Sequence, residues 1–281
     1  MSQAESSTCP SCGTPFLGSY CHSCGEKRIG LQDKRLAFFV EELISSIFVA
    51  DGKFFRTIKL LLTQPGALTK SFVDGVRKKY LSPLQLFFFA NLIYFLFPLI
   101  STFNTSLDIQ MYNLPYSDWV RPVVENYLDQ HPEDATSFRT SYEATSNSNG
   151  KLLLILLVLL QGLFLKLLFL RDRRFYLIDF FAGSAYFYGF YILVFLVAFP
   201  SLISLVDWIG DFQFNGFLNE LTLSILFLVG IFTYQYFLIK KAYSTGIADA
   251  IWRSVLLTAF IIPSFTIYRF LLFWVTFWVV T

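Results

Sequence analysis

The chain has 281 residues, of which 55% are hydrophobic and only 15% charged, and it contains 34 phenylalanines. Average soluble domains carry about 25% charged residues, and a water-soluble fold of this length could not bury so much apolar surface. The composition therefore excludes a soluble globular protein and indicates one whose solvent is a lipid bilayer.

The N-terminal region is polar and holds all four cysteines of the chain. Residues 1–8 form a polar tail without the apolar stretch that a signal peptide needs, so we expect this region to fold in the cytosol. Two C-x-x-C-G motifs follow, one from Cys9 to Gly13 and one from Cys21 to Gly25, separated by eight residues between Cys12 and Cys21.

Each motif can offer two thiolates to one tetrahedral ion, and the glycine allows the tight turn that this geometry needs. The spacing predicts a small zinc ribbon over residues 1–28, with zinc bound by Cys9, Cys12, Cys21 and Cys24. Iron bound by the same ligands and a pair of disulfides are the alternatives, and a reducing cytosol argues against the disulfides. His22 lies inside the second motif and is interpreted as a bystander.

Two roles fit such a ribbon. In the first, the metal only stabilises a segment that is too short to have a core of its own. In the second, the ribbon also docks a partner. The basic residues that follow are offset by Glu26 and Asp33, and this surface is too weak to predict nucleic-acid binding. These basic residues are Lys27, Arg28, Lys34 and Arg35. We therefore expect a structural role combined with contact to a cytosolic protein.

Residues 29–83 are amphipathic. Helices are predicted over Leu36–Phe48, from Lys53 to Leu62, and after the Pro65-Gly66 turn. Basic amphipathic helices next to a transmembrane span usually lie in the interface, with their cations toward anionic headgroups; the alternative is a soluble helical hairpin packed on the ribbon. The residues predicted to bind the membrane surface are Lys53, Arg56, Lys59, Arg77, Lys78 and Lys79.

Residues 84–281 contain five apolar segments that approach or exceed the ~20 residues needed to cross a bilayer. Alternating barrel strands are absent, so the fold class predicted is an all-α polytopic membrane protein with about five transmembrane helices. The predicted spans are Leu84–Ile100, Leu152–Leu170, Phe180–Leu202, Leu221–Ile239 and Ser254–Val280.

Two connections are predicted on the outer side. The loop at 101–151 should contain a short amphipathic helix over Trp119–Leu128, and its polar end, 140–150, is predicted to be a mobile segment. A second loop is predicted around 203–220.

The basic residues predict the orientation of the spans. Eleven precede the first span, three follow the second and three lie between the fourth span and the start of the fifth, which places 17 of the 22 Lys and Arg on one side. Only Arg121, Arg139 and Lys151 lie on the other side. This distribution predicts a cytosolic N-terminus and an extracytoplasmic C-terminus.

The C-x-x-C-G pair is followed by Gln64-Pro65-Gly66 and by a G-x-R-x-x-Y-x-x-P block that runs from Gly75 to Pro83 and leads into an aromatic first span. This arrangement resembles bacterial membrane proteins grouped as domain of unknown function 3667, over about residues 9–95. The resemblance implies a zinc ribbon, several transmembrane helices and a bacterial inner membrane, but no activity. Many members carry histidines in a later span, whereas Ala185–Phe190 has none, which puts any function of those histidines in doubt here.

No catalytic motif occurs in the chain, so it is predicted not to be an enzyme. A polar intramembrane site is predicted around Arg269, Asn91 and Gln161, since an arginine in a span usually faces protein or water. The alternative is that the fifth span crosses with 254–268 alone and that 269–281 lies along the outer interface. The function predicted is a membrane scaffold or regulator; a small transporter or channel-like protein is the alternative.

Overall fold

A computed structural model of the chain describes residues 8–28, 52–97, 103, 105–132, 135–210 and 220–281. Within these residues the fold is helical, and the only β-type pairing consists of isolated bridges in the cysteine segment. The predicted helix over 36–48 and most of the N-terminal tail lie outside the described residues. The helices are α1 (Lys53–Thr63), α2 (Ala67–Val73), α3 (Pro83–Leu96), α4 (Leu107–Tyr112), α5 (Ser117–Gln130), α6 (Ala135–Leu168), α7 (Leu177–Tyr191), α8 (Phe199–Gly210), α9 (Glu220–Ala242), α10 (Ile247–Ala259) and α11 (Ile261–Val280).

Four segments of the described chain are long and apolar enough to cross a bilayer. No more than 33% of the residues in the apolar window of each are buried inside the protein, so most of their apolar surface faces outward, as in a helix surrounded by lipid. The predicted class, an all-α polytopic membrane protein, is confirmed. The four segments are Thr136–Leu168, Leu177–Val206, Thr222–Ala242 and Ile247–Val280.

The first predicted span is shorter than expected. It appears as α3, an apolar helix of 14 residues, which is about 21 Å long and falls short of a ~30 Å hydrocarbon core. The helix starts at Pro83 behind a capping box between Ser82 and Gln85. It ends because Phe97 is non-helical, with φ −128° and ψ 69°, as expected for a residue that precedes a proline, here Pro98.

The prediction of a mobile polar segment at 140–150 is wrong. These residues belong to α6, a continuous helix of 34 residues and about 51 Å. One face of its polar half, Phe138, Tyr142, Ser146 and Gly150, is buried, and Phe138 and Tyr142 pack against rings of α11. The predicted amphipathic helix at 119–128 is confirmed within α5.

The third and fifth predicted spans also differ in their bounds. The third runs on through Gly210, because α7 continues into the π-helical turns Ile192–Ala198 and then α8, so the predicted loop around 203–220 starts later. The fifth begins at Ile247 and is interrupted at Phe260. Pro263 lies in the first turn of α11, where its missing N–H is tolerated and the preceding helix cannot continue regularly.

Contacts between helix ends divide the molecule into a ribbon end and a distal end. At the ribbon end, the Arg253 guanidinium lies 3.9 Å from the ring centroid of Phe169, and the Tyr243 ring packs against Phe169 and Phe180. At the distal end, a second apolar cluster joins α4, α5, the start of α6 and the end of α11. The ribbon and the clustered basic residues therefore share one end of the bundle.

Helices α1 and α2 are packed against the bundle at the ribbon end. Leu61, Leu68 and Phe72 are buried in the same core as the spans. The turn at Gly66 approaches α9 so closely that a Cβ there would lie 2.6 Å from the Phe237 carbonyl oxygen and 2.8 Å from Leu238 Cα.

Replacing Gly66 with alanine should destabilise this junction. Gly66 has φ +81°, a left-handed conformation that costs an alanine about 1–2 kcal/mol, and the methyl group would also push α2 away from α9. We expect a lower melting temperature of the detergent-solubilised protein. Gly246→Ala is the matched control, because Gly246 is also a helix N-cap, has φ −66° and has nothing within 4 Å of its Cβ position. Equal melting temperatures for the two variants would contradict this packing.

Candidate metal centre

The two cysteine motifs fold into two similar turns. In each, the glycine N–H donates to the carbonyl of the first cysteine, Gly13 to Cys9 at 2.8 Å and Gly25 to Cys21 at 2.7 Å. Both glycines are left-handed, with φ +76° and +70°, so the predicted need for glycine at these turns is confirmed.

The four thiols converge on one point. All four Sγ atoms lie within 4.8 Å of one another, with Cys9 to Cys24 at 3.6 Å and Cys12 to Cys21 at 3.5 Å. A tetrahedral ion with metal–sulfur bonds of about 2.3 Å needs sulfurs about 3.8 Å apart, whereas a disulfide needs about 2.05 Å. The cluster could therefore bind a metal ion through four thiolates.

The local environment favours thiolate at Cys12. Its Sγ lies 3.3 Å from Thr14 Oγ1, and hydrogen bonds with the side chain and backbone of Thr14 lower the pKa of the Cys12 thiol to about 6. A backbone hydrogen bond at Glu26 lowers the pKa of the Cys24 thiol, but burial and the neighbouring thiols outweigh it and raise this pKa to about 12. Since the thiolate is the form that ligates metal, Cys12 is the ligand most ready to bind a cation at neutral pH. His22 is exposed and stands outside the four-ligand group.

Glu26 connects the ribbon to the membrane domain. Its side chain is fully buried and accepts hydrogen bonds from the backbone N–H of Arg77 at 2.7 Å and of Lys78 at 3.1 Å. Its own backbone carbonyl accepts from the N–H of Cys21 at 2.7 Å. Glu26 therefore connects the second metal turn to the segment that precedes α3.

Sequence reasoning treated Glu26 only as an offsetting charge. A signal was present, because Glu26 follows Cys24-Gly25 at the position that Thr14 occupies after Cys12-Gly13. The partners of Glu26 are backbone amides 51 and 52 residues away along the chain, and amides carry no side-chain pattern that could reveal them.

The residues predicted to bind the membrane surface have different environments. Arg56, Lys59, Lys78 and Lys79 are exposed and Lys53 is half-buried. The Arg77 guanidinium instead lies 3.7 Å from the ring centroid of Phe72. Surface binding by the six residues stays a prediction.

The three residues of the predicted intramembrane site have separate surroundings. The Asn91 side-chain amide donates to the Phe87 carbonyl at 3.1 Å and lines a groove whose lining includes neither Gln161 nor Arg269. Gln161 is buried on α6, and neither polar atom of its side chain has a hydrogen-bond partner among the described residues. A functional site made of all three stays a prediction.

Arg269 lies where α6 changes from polar to apolar. The hydroxyl of the preceding Tyr268 donates to the Gly150 carbonyl at 2.6 Å, and the apolar run of α6 starts at Leu152. The backbone carbonyl of Arg269 accepts from Gln110 Nε2 at 3.4 Å. The helix continues beyond it, and Phe273 and Phe277 are buried in the distal cluster, so this part of α11 packs against protein on one face.

Residues 51–95 match the model of the family described as Protein of unknown function (DUF3667). The resemblance to that family is thus confirmed for α1, α2, the Gly75–Pro83 block and nearly all of α3. No curated protein and no solved structure matches the chain. The matched segment contains both backbone amides that hold Glu26.

Replacing Glu26 with alanine should loosen the ribbon. Loss of a charged acceptor from the two partly buried hydrogen bonds costs about 1–3 kcal/mol, so the amides of Arg77 and Lys78 should exchange hydrogen for deuterium at least about fivefold faster. The measurement is exchange mass spectrometry on the purified full-length protein. Metal content should not change, because the Glu26 side chain is not a ligand. Glu125→Ala, at an exposed site on α5, is the control. We call the two hydrogen bonds from the Arg77 and Lys78 amides to the Glu26 carboxylate the Glu26 clamp. Unchanged protection of these two amides from exchange in Glu26→Ala would refute the clamp.

Proposed function

We propose that the chain is a non-enzymatic scaffold or regulator in a bacterial inner membrane, and that its zinc ribbon holds a cytosolic protein partner. The observation that carries this proposal is a ribbon that is anchored to the membrane domain through Glu26 and that exposes two large apolar side chains. These are Leu17 and Tyr20, whose surfaces are 83% and 60% exposed among the described residues.

Leu17 and Tyr20 lie between the two metal turns, in a segment of about twenty residues that has no apolar core. The metal and the Glu26 clamp account for the folding of this segment, so these side chains are not needed for its stability. Tyrosine is enriched at protein interfaces, and exposed apolar residues with polar surroundings favour protein contact. The partner expected is a protein with an apolar pocket flanked by polar groups.

The orientation proposed places this surface in the cytosol. The ribbon lies at the same end as Arg171, Arg173 and Arg174 after α6 and as Lys240 and Lys241 at the end of α9. Segments rich in Lys and Arg remain on the cytoplasmic side. The end of α11 lies in the distal cluster, at the opposite end of the bundle from the ribbon, so the C-terminus is then extracytoplasmic.

Zinc is the ion proposed for the four cysteines, because four-thiolate tetrahedral sites with paired C-x-x-C spacing are typical of structural zinc. It would neutralise converging thiolates and supply the folding energy that the small ribbon lacks. The geometry of the ribbon depends on the chain's own residues, since Gly13 and Gly25 shape the two turns. Glu26 fixes the orientation of these turns on the membrane domain.

A small transporter or channel-like protein is the alternative, and it stays a prediction. It requires a wet cavity that contains Arg269, Asn91 and Gln161 together. The groove at Asn91 has a mostly apolar lining, which does not favour a path for ions.

Elemental analysis tests the metal. Purified, reduced protein should contain one zinc per chain, and a Cys9→Ser, Cys12→Ser double variant should lose it while still inserting into the membrane. Acidification should release the ion, because protons compete for thiolates. His22→Ser is the control and should keep the metal. Iron at full occupancy would refute zinc, and no metal at all would refute the site.

A photo-crosslinking amino acid at Leu17 or Tyr20 tests the partner. Both positions should capture the same soluble protein in living cells, and capture should fail in the double cysteine variant because the ribbon is then unfolded. The same cross-linker at Trp119, which is 71% exposed at the distal end, is the control and should not capture that protein. Capture only from Trp119, or from no position, would overturn the proposal and its orientation.

A further inference from the structure

An open groove runs between α3 and α6 on the side of the bundle. Its volume is about 310 Å³, and Phe88, Leu92 and Phe95 on α3 face Lys151 and Ile155 on α6 across it. No charged residue occurs between Pro83 and Leu96. The wall contributed by α3 is therefore suited to hydrocarbon.

The groove lies between two helices that each pack against α7 and make little contact with each other. Helix α3 ends at Leu96 after about 21 Å, whereas α6 extends for about 51 Å. At the point where the apolar run of α6 begins, Leu152 is 76% exposed. In a bilayer an apolar surface of this kind contacts acyl chains.

Lys151 gives the mouth of the groove a positive charge. Its Nζ lies 3.5 Å from the ring centroid of Phe95, so a cation–π contact holds the ammonium over the opening. Among the described residues Lys151 takes part in no salt bridge. It is the last polar residue before the apolar run of α6, which is the level where lipid phosphates lie.

Asn91 lies deeper in the groove and does not change its apolar character. Its amide group donates to the Phe87 carbonyl at 3.1 Å, and its side-chain oxygen is buried without a hydrogen-bond partner among the described residues. The charge of the groove is thus concentrated at its mouth, and its deeper lining is mostly apolar.

We infer that this groove binds one anionic phospholipid of the surrounding bilayer. An acyl chain lies along Phe88, Leu92 and Phe95, and the phosphate contacts Lys151. A zwitterionic phospholipid fills the same walls but gains less from the Lys151 ammonium. The site is separate from the ribbon and does not depend on its partner.

Native mass spectrometry of the full-length protein tests this site. Protein extracted from vesicles of equal phosphatidylglycerol and phosphatidylcholine should retain phosphatidylglycerol preferentially. Lys151→Gln should lower the retained ratio of the two lipids about fivefold, the effect of one basic residue near a membrane surface. Lys166→Gln is the matched control, because Lys166 is on the same helix and does not line the groove. Its Nζ also lies near an aromatic ring, 5.5 Å from the ring centroid of Phe180. The ratio of the two lipids retained by Lys166→Gln should equal that of the wild type.

A second variant distinguishes lipid binding in the groove from a general effect of charge on lipid retention. Leu92→Trp fills the groove without changing its charge and should reduce retention of both lipids. An unchanged ratio in Lys151→Gln would overturn the inference, as would equal losses in Lys151→Gln and Lys166→Gln. Stabilisation of the lipid-free protein by inorganic phosphate to the same extent as by phosphatidylglycerol would show an anion site without a lipid chain and would also overturn it.

Discussion

A lipid bilayer offers no hydrogen-bond partners, so each backbone polar group inside it must be satisfied by the protein, and polar side chains there favour bonds between helices. This constraint explains the helical class and several side-chain bonds between helices. The Ser184 hydroxyl donates to the Val158 carbonyl at 2.8 Å, and the Thr258 hydroxyl donates to the Gln235 side chain at 3.0 Å. Such bonds fix neighbouring helices in lipid, where the hydrophobic effect does not drive their association.

The ribbon is joined to this bundle by a different kind of interaction. A buried carboxylate needs compensation, and Glu26 receives it from two successive backbone amides in the segment between α2 and α3. The metal turn fixes Glu26, and Glu26 fixes the direction in which the chain enters α3. A small metal domain without a core of its own is thereby held in a defined position on the membrane domain, as a docking function requires.

The distal end shows how two long helices support each other outside the apolar layer. The polar half of α6 and the last turns of α11 lie side by side, and α4 and α5 cover them with Met111, Val120 and Val124. Arg269 lies at the junction of this cluster with the apolar layer. Its Nε is buried without a hydrogen-bond partner among the described residues, and the part of α11 that follows packs against protein on one face.

The sequence by itself determined the membrane class, the convergence of the four cysteines and the clustering of basic residues, because each depends on composition or on local spacing. Tertiary structure alone decided that 140–150 is helical, since the apolar cover for Phe138 and Tyr142 comes from α11, more than a hundred residues away. It also decided the role of Glu26, whose partners are backbone amides, and the groove at Lys151, which lies between two helices that each pack against α7. A hydrophobic pattern within a segment indicates which face of that segment is apolar. Only the assembled fold shows which other segment covers that face.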